Sequence, residues 1–132
     1  MTLTSGLIGE SHATVDASML ASALGSGAIQ VLSTPSMIAL MESAACRAVE
    51  SVLPPGQTTV GTRLDVRHLA ATPVGLGVRA RAELLEVDGR KLTFHVEAFD
   101  SQEKIGEGTH ERAVVDPSRL LARAAAKRAQ EQ

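Results

Sequence analysis

Two side chains of this sequence, the carboxylate of Glu42 and the imidazole of His68, are of the types that most often move protons in enzymes. Glu42 lies on the border of an apolar helical stretch, where a carboxylate must be solvated at a cleft or paired, because burying an isolated charge is costly. His68 ends an alternating stretch and is expected to face inward with Leu64 and Val66. A salt-bridged glutamate and a packed histidine are the ordinary structural explanations for these positions.

Thr34 is a third candidate, at the start of the same helical stretch. Threonine followed by proline is typical of a helix N-cap and the first helical position, so we predict that Thr34 caps the helix. Capping alone would explain this residue. Backbone N–H groups at the same helix start could also polarise a bound carbonyl group.

A further polar pair, His110 and Arg112, shares one face of a predicted strand with Gly106 and Gly108. Glycine in a strand permits close approach by a ligand or by another chain. A strand that is merely twisted or bulged explains the same pattern, and both interpretations stay open.

The elements that position these residues follow from the spacing of apolar side chains. Apolar residues around most of the circumference predict a central helix over 34–53, ended by a Pro-Pro-Gly sequence. A period of two predicts strands over 60–68, 74–84, 92–98 and 105–115. Weaker signals predict a strand near 13–15, a small helix over 18–24, and a basic helix from 117 onward.

One buried helix followed by long antiparallel strands predicts an α+β fold in which the apolar face of the sheet covers the helix. We predict a single domain over 1–132, with a core of 28–116 and a helical tail of 117–132. Long edge strands leave backbone groups open for pairing, so we expect a homodimer whose sheets join edge to edge.

The composition argues against several other classes of protein. Of the 132 residues, 44% are hydrophobic, enough for one core without disulfides or a metal. A net charge of −2 and an aromatic content of 2% provide neither a positive field nor stacking side chains for nucleic acid. Cys46 has no disulfide partner, no zinc-site spacing is present, and neither a signal peptide nor an apolar run of about 20 residues occurs. We expect a cytoplasmic protein that binds neither a metal nor nucleic acid and does not associate with a membrane.

Four segments, taken in order, resemble the fluoroacetyl-CoA thioesterase family of hot-dog proteins. They are Thr34 with Leu40-Met41-Glu42, then Gly61-Thr62, then His68-Leu69-Ala70-Ala71-Thr72-Pro73, and finally Ile105 to Arg112. The resemblance implies a hot-dog fold, with a curved antiparallel sheet wrapped around one long central helix. It also implies a thioesterase for small acyl groups carried by CoA or a carrier protein, with CoA as part of the substrate and no separate cofactor.

The same resemblance implies site residues. Thr34, Glu42 and His68 are expected to be catalytic, and Gly61 and Arg112 to bind substrate. Glu42 would attack the thioester or activate water, His68 would act as an acid/base or orienting group, and Thr34 would hydrogen-bond within the site. Thr34 and Glu42 are eight helical residues apart, roughly 12 Å. They can hardly serve one carbon atom from one chain, so a site shared across a homodimer is expected.

The segment before the central helix departs from the family pattern. The fluoroacetyl-specific member carries phenylalanines there, whereas Gly25–Ser33 contains no aromatic residue. We therefore expect a thioesterase that is not selective for fluoroacetyl-CoA. The alternative is a non-catalytic acyl-thioester binding protein on the same fold. A hot-dog dehydratase would need a differently placed pair of histidine and carboxylate.

Overall fold

The computed structural model describes residues 2–131, and within them five strands form one antiparallel sheet. The strands are β1 (Ile8–Thr14), β2 (Thr58–His68), β3 (Gly77–Asp88), β4 (Lys91–Asp100) and β5 (Lys104–Val115). Their order in the sheet is β1-β3-β4-β5-β2, so β1 and β2 are the edges. The helices are α1 (Ala21–Leu24), α2 (Thr34–Val49) and α3 (Pro117–Gln130). The predicted α+β hot-dog fold is confirmed.

Helix α2 lies directly on the sheet because small residues line the contact. A Cβ atom on Gly9 of β1 would collide with the Ala44 carbonyl and the Ala48 backbone, so only glycine fits beneath the helix. Its buried face consists of methionine, alanine and valine side chains: Met37, Met41, Ala44, Ala45, Ala48 and Val49. The helix ends at Val49 rather than at the predicted residue 53, since Pro54 disfavours helical geometry in the residue before it.

The N-terminal part of the chain is more ordered than predicted. Strand β1 covers Ile8–Thr14 and pairs with β3, whereas a strand was expected only near 13–15. Gly9 and Ser11 are its inward residues, and neither gives an apolar alternation in the sequence. The predicted core of 28–116 therefore begins too late. The predicted helix over 18–24 is split into a 3₁₀ turn, Ala17–Met19, and α1.

A bulge in β2 reverses the alternation predicted for this strand. The pairing with β5 shifts between Gly61 and Arg63, which inserts one extra residue, Thr62. Thr59 is buried and a Cβ on Gly61 would meet buried side chains, so the odd positions face inward before the bulge. After it, the even positions do so. A strict alternation along the predicted strand 60–68 would turn Val60 and Thr62 inward together with Leu64 and Val66, and the bulge makes that expectation wrong.

None of the described helices is long and apolar enough to cross a lipid bilayer. Residues 2–131 also contain no cluster of three or more histidine, cysteine or acidic side chains arranged to hold a metal ion.

Candidate active site

Thr34 and His68 meet where the start of α2 crosses the end of β2. The Thr34 Oγ1 atom lies 2.8 Å from Nδ1 of His68, a hydrogen-bond distance. Helix α2 is capped by Ser33, whose hydroxyl accepts from the Ser36 backbone N–H at 3.1 Å. The prediction that Thr34 is the N-cap is therefore wrong. The Thr34 hydroxyl takes no part in capping and forms a hydrogen bond with His68 instead.

The second ring nitrogen of His68, Nε2, is buried and has no hydrogen-bond partner among the described residues. An unpartnered buried polar atom costs free energy, so such atoms mark sites that a ligand or water completes. Burial lowers the pKa of His68 more than the nearby Ala70 backbone raises it, so the pKa lies below the ordinary histidine value. The imidazole is accordingly neutral near pH 7 and can accept a proton or donate a hydrogen bond.

A pocket of about 380 Å³ opens beside this pair. Apart from Thr34 and His68, small and aliphatic residues line it: Ala21, Ser26, Val31, Leu32, Ser33, Leu69, Ala70 and Ala71. Its size and apolar walls suit a small acyl group, and the histidine is the one ring among its lining residues.

Glu42 lies in a second polar group, centred on Arg112. Its Oε2 atom is 3.2 Å from Nη1 of Arg112, and 37% of the Glu42 side chain is exposed. The carboxylate is thus paired with a cation and still open to a cleft. A Cβ on Gly61 would collide with Glu42 Oε2, so glycine at this position makes room for the carboxylate.

The Arg112 guanidinium is buried and held by Thr59. Its Nε donates to Thr59 Oγ1 at 2.9 Å, and Nη2 donates to the Thr59 carbonyl at 3.0 Å. Nη1 also donates to Nε2 of His110 at 3.1 Å. Thr59 was not among the predicted site residues, because the bulge places it on the inner face against the expected alternation. His110 was noticed for sharing a face with Arg112, but no role followed from the pattern.

The two groups stay apart within one chain, at opposite ends of the same edge strand. His68 ends β2, whereas Glu42 lies over Gly61, seven residues earlier and roughly 20 Å away along the strand. Of the predicted residues, one chain brings together Thr34 with His68, and Glu42 with Gly61 and Arg112. One group offers a neutral imidazole with a free nitrogen, and the other offers a carboxylate fixed by a cation.

Comparison with known proteins places this chain in a family. A model of the family described as fluoroacetyl-CoA-specific thioesterase matches residues 15–118. A fluoroacetyl-CoA thioesterase from Streptantibioticus cattleyicolor is 49% identical over 86 residues, which are 65% of this chain. The match spans 62% of the length of that protein.

Solved structures agree. The fluoroacetyl-CoA thioesterase FlK superposes with a TM-score of 0.90 at 35% identity, covering 96% of this chain and 98% of that one. A thioesterase superfamily member from Thermus thermophilus, 24% identical, shares the fold with a TM-score of 0.86, covering 98% and 97% of the two chains. A sheet wrapped around one central helix, as in these structures, defines a hot-dog protein. Within that class, this chain belongs to the fluoroacetyl-CoA-specific thioesterase family.

Proposed function

We propose that this protein hydrolyses small acyl-CoA thioesters, with CoA as part of the substrate and not as a cofactor. The observation that carries the proposal is the Thr34–His68 pair beside the pocket, with the His68 Nε2 buried and available to a bound acyl group. Family membership supports the same activity. Variants of FlK have been solved with fluoroacetate and CoA and with acetyl-CoA.

The proposed site is shared between two copies of the chain. Two β2 edges can pair antiparallel about a twofold axis near Leu64 and Asp65. This pairing brings the Gly61 end of one strand beside the His68 end of the other. Glu42, which lies over Gly61, then faces the Thr34–His68 pair of the second copy, and two identical sites result.

Two features favour β2 over β1 as the pairing edge. Strand β2 has 11 residues and β1 has 7, so β2 offers the longer row of open backbone groups. Leu64 is directly opposite the buried His110 on the inner face of the sheet, yet it is 38% exposed, which leaves apolar surface for a second copy to cover.

The carboxylate of Glu42 starts the reaction by one of two routes. It attacks the thioester carbon directly, the C–S bond breaks, and water then hydrolyses the mixed anhydride left on Glu42. Alternatively it takes a proton from a water molecule whose oxygen attacks the same carbon. Both routes give the carboxylic acid and CoA.

Charge develops on the thioester as it reacts, and we assign the Nε2–H group of His68 to stabilise that charge by a hydrogen bond. In this scheme the Thr34 hydroxyl donates to Nδ1, so the proton of the neutral imidazole is on Nε2, and His68 lines the pocket. Thr34 thereby supports the tautomer that donates a hydrogen bond to the substrate, and the imidazole keeps its proton.

The lining of the pocket predicts the choice of substrate. One small group in an apolar pocket is worth roughly 1–3 kcal/mol, so strong selection between fluoroacetyl and acetyl groups needs a dedicated device. The segment from Gly25 to Ser33 supplies no aromatic side chain, and Gly25 adopts a left-handed φ of 68° that ends α1. We expect weak discrimination between fluoroacetyl-CoA and acetyl-CoA, and better turnover of a larger acyl group.

Measuring kcat/KM for fluoroacetyl-, acetyl-, isobutyryl- and phenylacetyl-CoA, by release of free thiol, tests both the activity and this preference. A preference for fluoroacetyl-CoA above about 10⁴-fold would contradict the expected selectivity. Hydrolysis of none of the four would overturn the proposed activity and favour an acyl-thioester binding protein.

Replacing Thr34 tests its contact with His68 without disturbing the helix start. Because Ser33 is the cap, Thr34→Ala is expected to leave the melting temperature nearly unchanged. We expect it to lower kcat by about tenfold, since the hydrogen bond that holds the His68 ring at Nδ1 is lost. Thr34→Ser keeps the hydroxyl and should retain most of the activity.

The matched control is Ser33→Ala, which removes the cap and is expected to cost about 1 kcal/mol of stability. Equal kcat values for Thr34→Ala and Thr34→Ser would show that the hydroxyl has no role in turnover.

A further inference from the structure

His110 of β5 is buried, and its hydrogen bonds define both its charge and its tautomer. Nδ1 lies 2.8 Å from the carbonyl oxygen of Arg63, which can only accept, so Nδ1 carries a proton and donates it. Nε2 lies 3.1 Å from Nη1 of Arg112, and a guanidinium can only donate, so Nε2 accepts. The imidazole is therefore neutral, with its proton on Nδ1.

The Arg112 nitrogen that meets His110 is the same one that meets Glu42. Nη1 donates to Nε2 of His110 at 3.1 Å and to Oε2 of Glu42 at 3.2 Å. The other two guanidinium nitrogens are fixed on Thr59. His110 thus supplies a fixed acceptor to Nη1 of a buried cation, and the partly exposed carboxylate of Glu42 is the other acceptor at that nitrogen.

We propose that His110 is a positioning residue, which as a neutral acceptor holds Arg112 against Glu42 and which on protonation competes with Arg112 for that carboxylate. The inference rests on the proposed function, in that Glu42 is the group that acts on the thioester. His110 itself touches neither the substrate nor the reacting atoms in this scheme.

Protonation would replace an attractive contact by a repulsive one. The Nε2–H group of a charged His110 would face an N–H group of Arg112, so two donors and two cations would stand together. The nearest acceptor for the new proton is Glu42 Oε2, 4.0 Å from Nε2. The carboxylate would then be drawn from arginine to histidine.

The groups around His110 keep it neutral until the solution is acidic. Burial is the largest influence and lowers the pKa of His110; Arg112 lowers it as well, whereas the Arg63 carbonyl and Glu42 raise it. The Arg63 side chain lies elsewhere, paired with Glu111 at 3.2 Å. Against the ring itself stands Phe94, which is uncharged and 6.2 Å away between ring centroids. The hydrogen bond from Arg112 to His110 is therefore lost only when the pH falls below 6.5, the ordinary pKa of histidine.

Two variants distinguish the role of His110 as a hydrogen-bond acceptor from its role in filling space. His110→Phe fills the space without an acceptor, and we expect kcat to fall by at least about tenfold with KM changed far less. His110→Gln can accept from Arg112 and donate to the Arg63 carbonyl but cannot be protonated near pH 6. We expect its kcat, divided by that of the unaltered protein, to rise as the pH is lowered from 7 to 5. His95→Gln, on the exposed face of β4, is the matched control and should give a constant ratio.

Nitrogen NMR supplies a readout that does not depend on turnover. We expect the His110 ring to show the Nδ1–H tautomer at pH 7, and the Arg112 guanidinium signals to change below pH 6 in the unaltered protein but not in His110→Gln. A charged ring or an Nε2–H tautomer at pH 7 would overturn the inference, and so would guanidinium signals with the same pH dependence in both proteins.

The two proposals fail in different ways. If no acyl-CoA is hydrolysed but the guanidinium signals behave as expected, the proposed function is wrong and the hold of His110 on Arg112 stands. If hydrolysis is efficient but the kcat ratio for His110→Gln is independent of pH, the role of His110 is wrong and the thioesterase remains.

Discussion

Glu42→Gln is expected to lower kcat by at least about 100-fold, with KM affected far less. The amide has the size of the carboxylate and keeps an oxygen that can accept from Arg112, so the fold should be preserved. It can neither attack the thioester carbon nor remove a proton from water. Steady-state hydrolysis of the best acyl-CoA substrate, with circular dichroism as a check on folding, measures the effect.

Glu50→Gln is the matched control, because it makes the same change at the exposed end of the same helix and should leave kcat unaltered. Near-normal turnover by Glu42→Gln would remove the carboxylate from the mechanism and favour an acyl-thioester binding protein. A burst of CoA release in rapid-quench experiments would distinguish direct attack by Glu42 from activation of water.

His68→Ala is expected to reduce kcat by a similar factor, about 100-fold, because the reacting thioester loses a hydrogen-bond donor that stabilises its developing charge. The Thr34 hydroxyl would remain but would have no partner for its hydrogen bond. The pH dependence of stability provides a second readout. Since burial lowers the pKa of His68 in the folded chain, the unfolded chain binds the proton more readily, and stability falls as the pH drops below 6.5.

His68→Gln should weaken that decline, whereas His12→Gln, at an exposed site on β1, should not. If His68→Ala keeps full turnover while its stability loses part of the pH dependence, the histidine is structural and takes no part in turnover.

The long elements of the fold could be predicted because their signals are repeated many times along the sequence. Helix α2, strand β4 and most of strand β3 bury one face with regular spacing, so a single period describes them. Strand β5 follows the same period from His110 onward, whereas Ile105 and Gly106 are both buried. Strand β1 could not be predicted in full, because Gly9 and Ser11 are buried without being apolar. The small size of Gly9 reflects the approach of the α2 backbone, a contact that a local pattern does not reveal.

The candidate site likewise contains features that the sequence predicts and features that depend on tertiary contacts. The pairing of Glu42 with a cation was one of the alternatives open from its position, whereas its particular partners depend on a bulge of one residue at Thr62. The bulge turns Thr59 inward toward Arg112, and the adjacent Gly61 permits a bulge without specifying one. At the helix start, Ser33 and Thr34 are both capping types, and only the fold decides that the serine caps and the threonine binds His68.

A subunit-mixing experiment tests the shared site most directly. Glu42→Gln and His68→Ala subunits, each nearly inactive as a homodimer, are mixed in equal amounts after dissociation and allowed to reassociate. Random association makes half of the dimers mixed, and in each of these one of the two sites combines an intact Glu42 with an intact His68. The shared site predicts recovery of about one quarter of the unaltered activity, and about one half for purified mixed dimers. The shared site would be contradicted if mixed dimers of confirmed composition recovered no activity. It would also be contradicted if solution scattering showed that the active protein is a monomer.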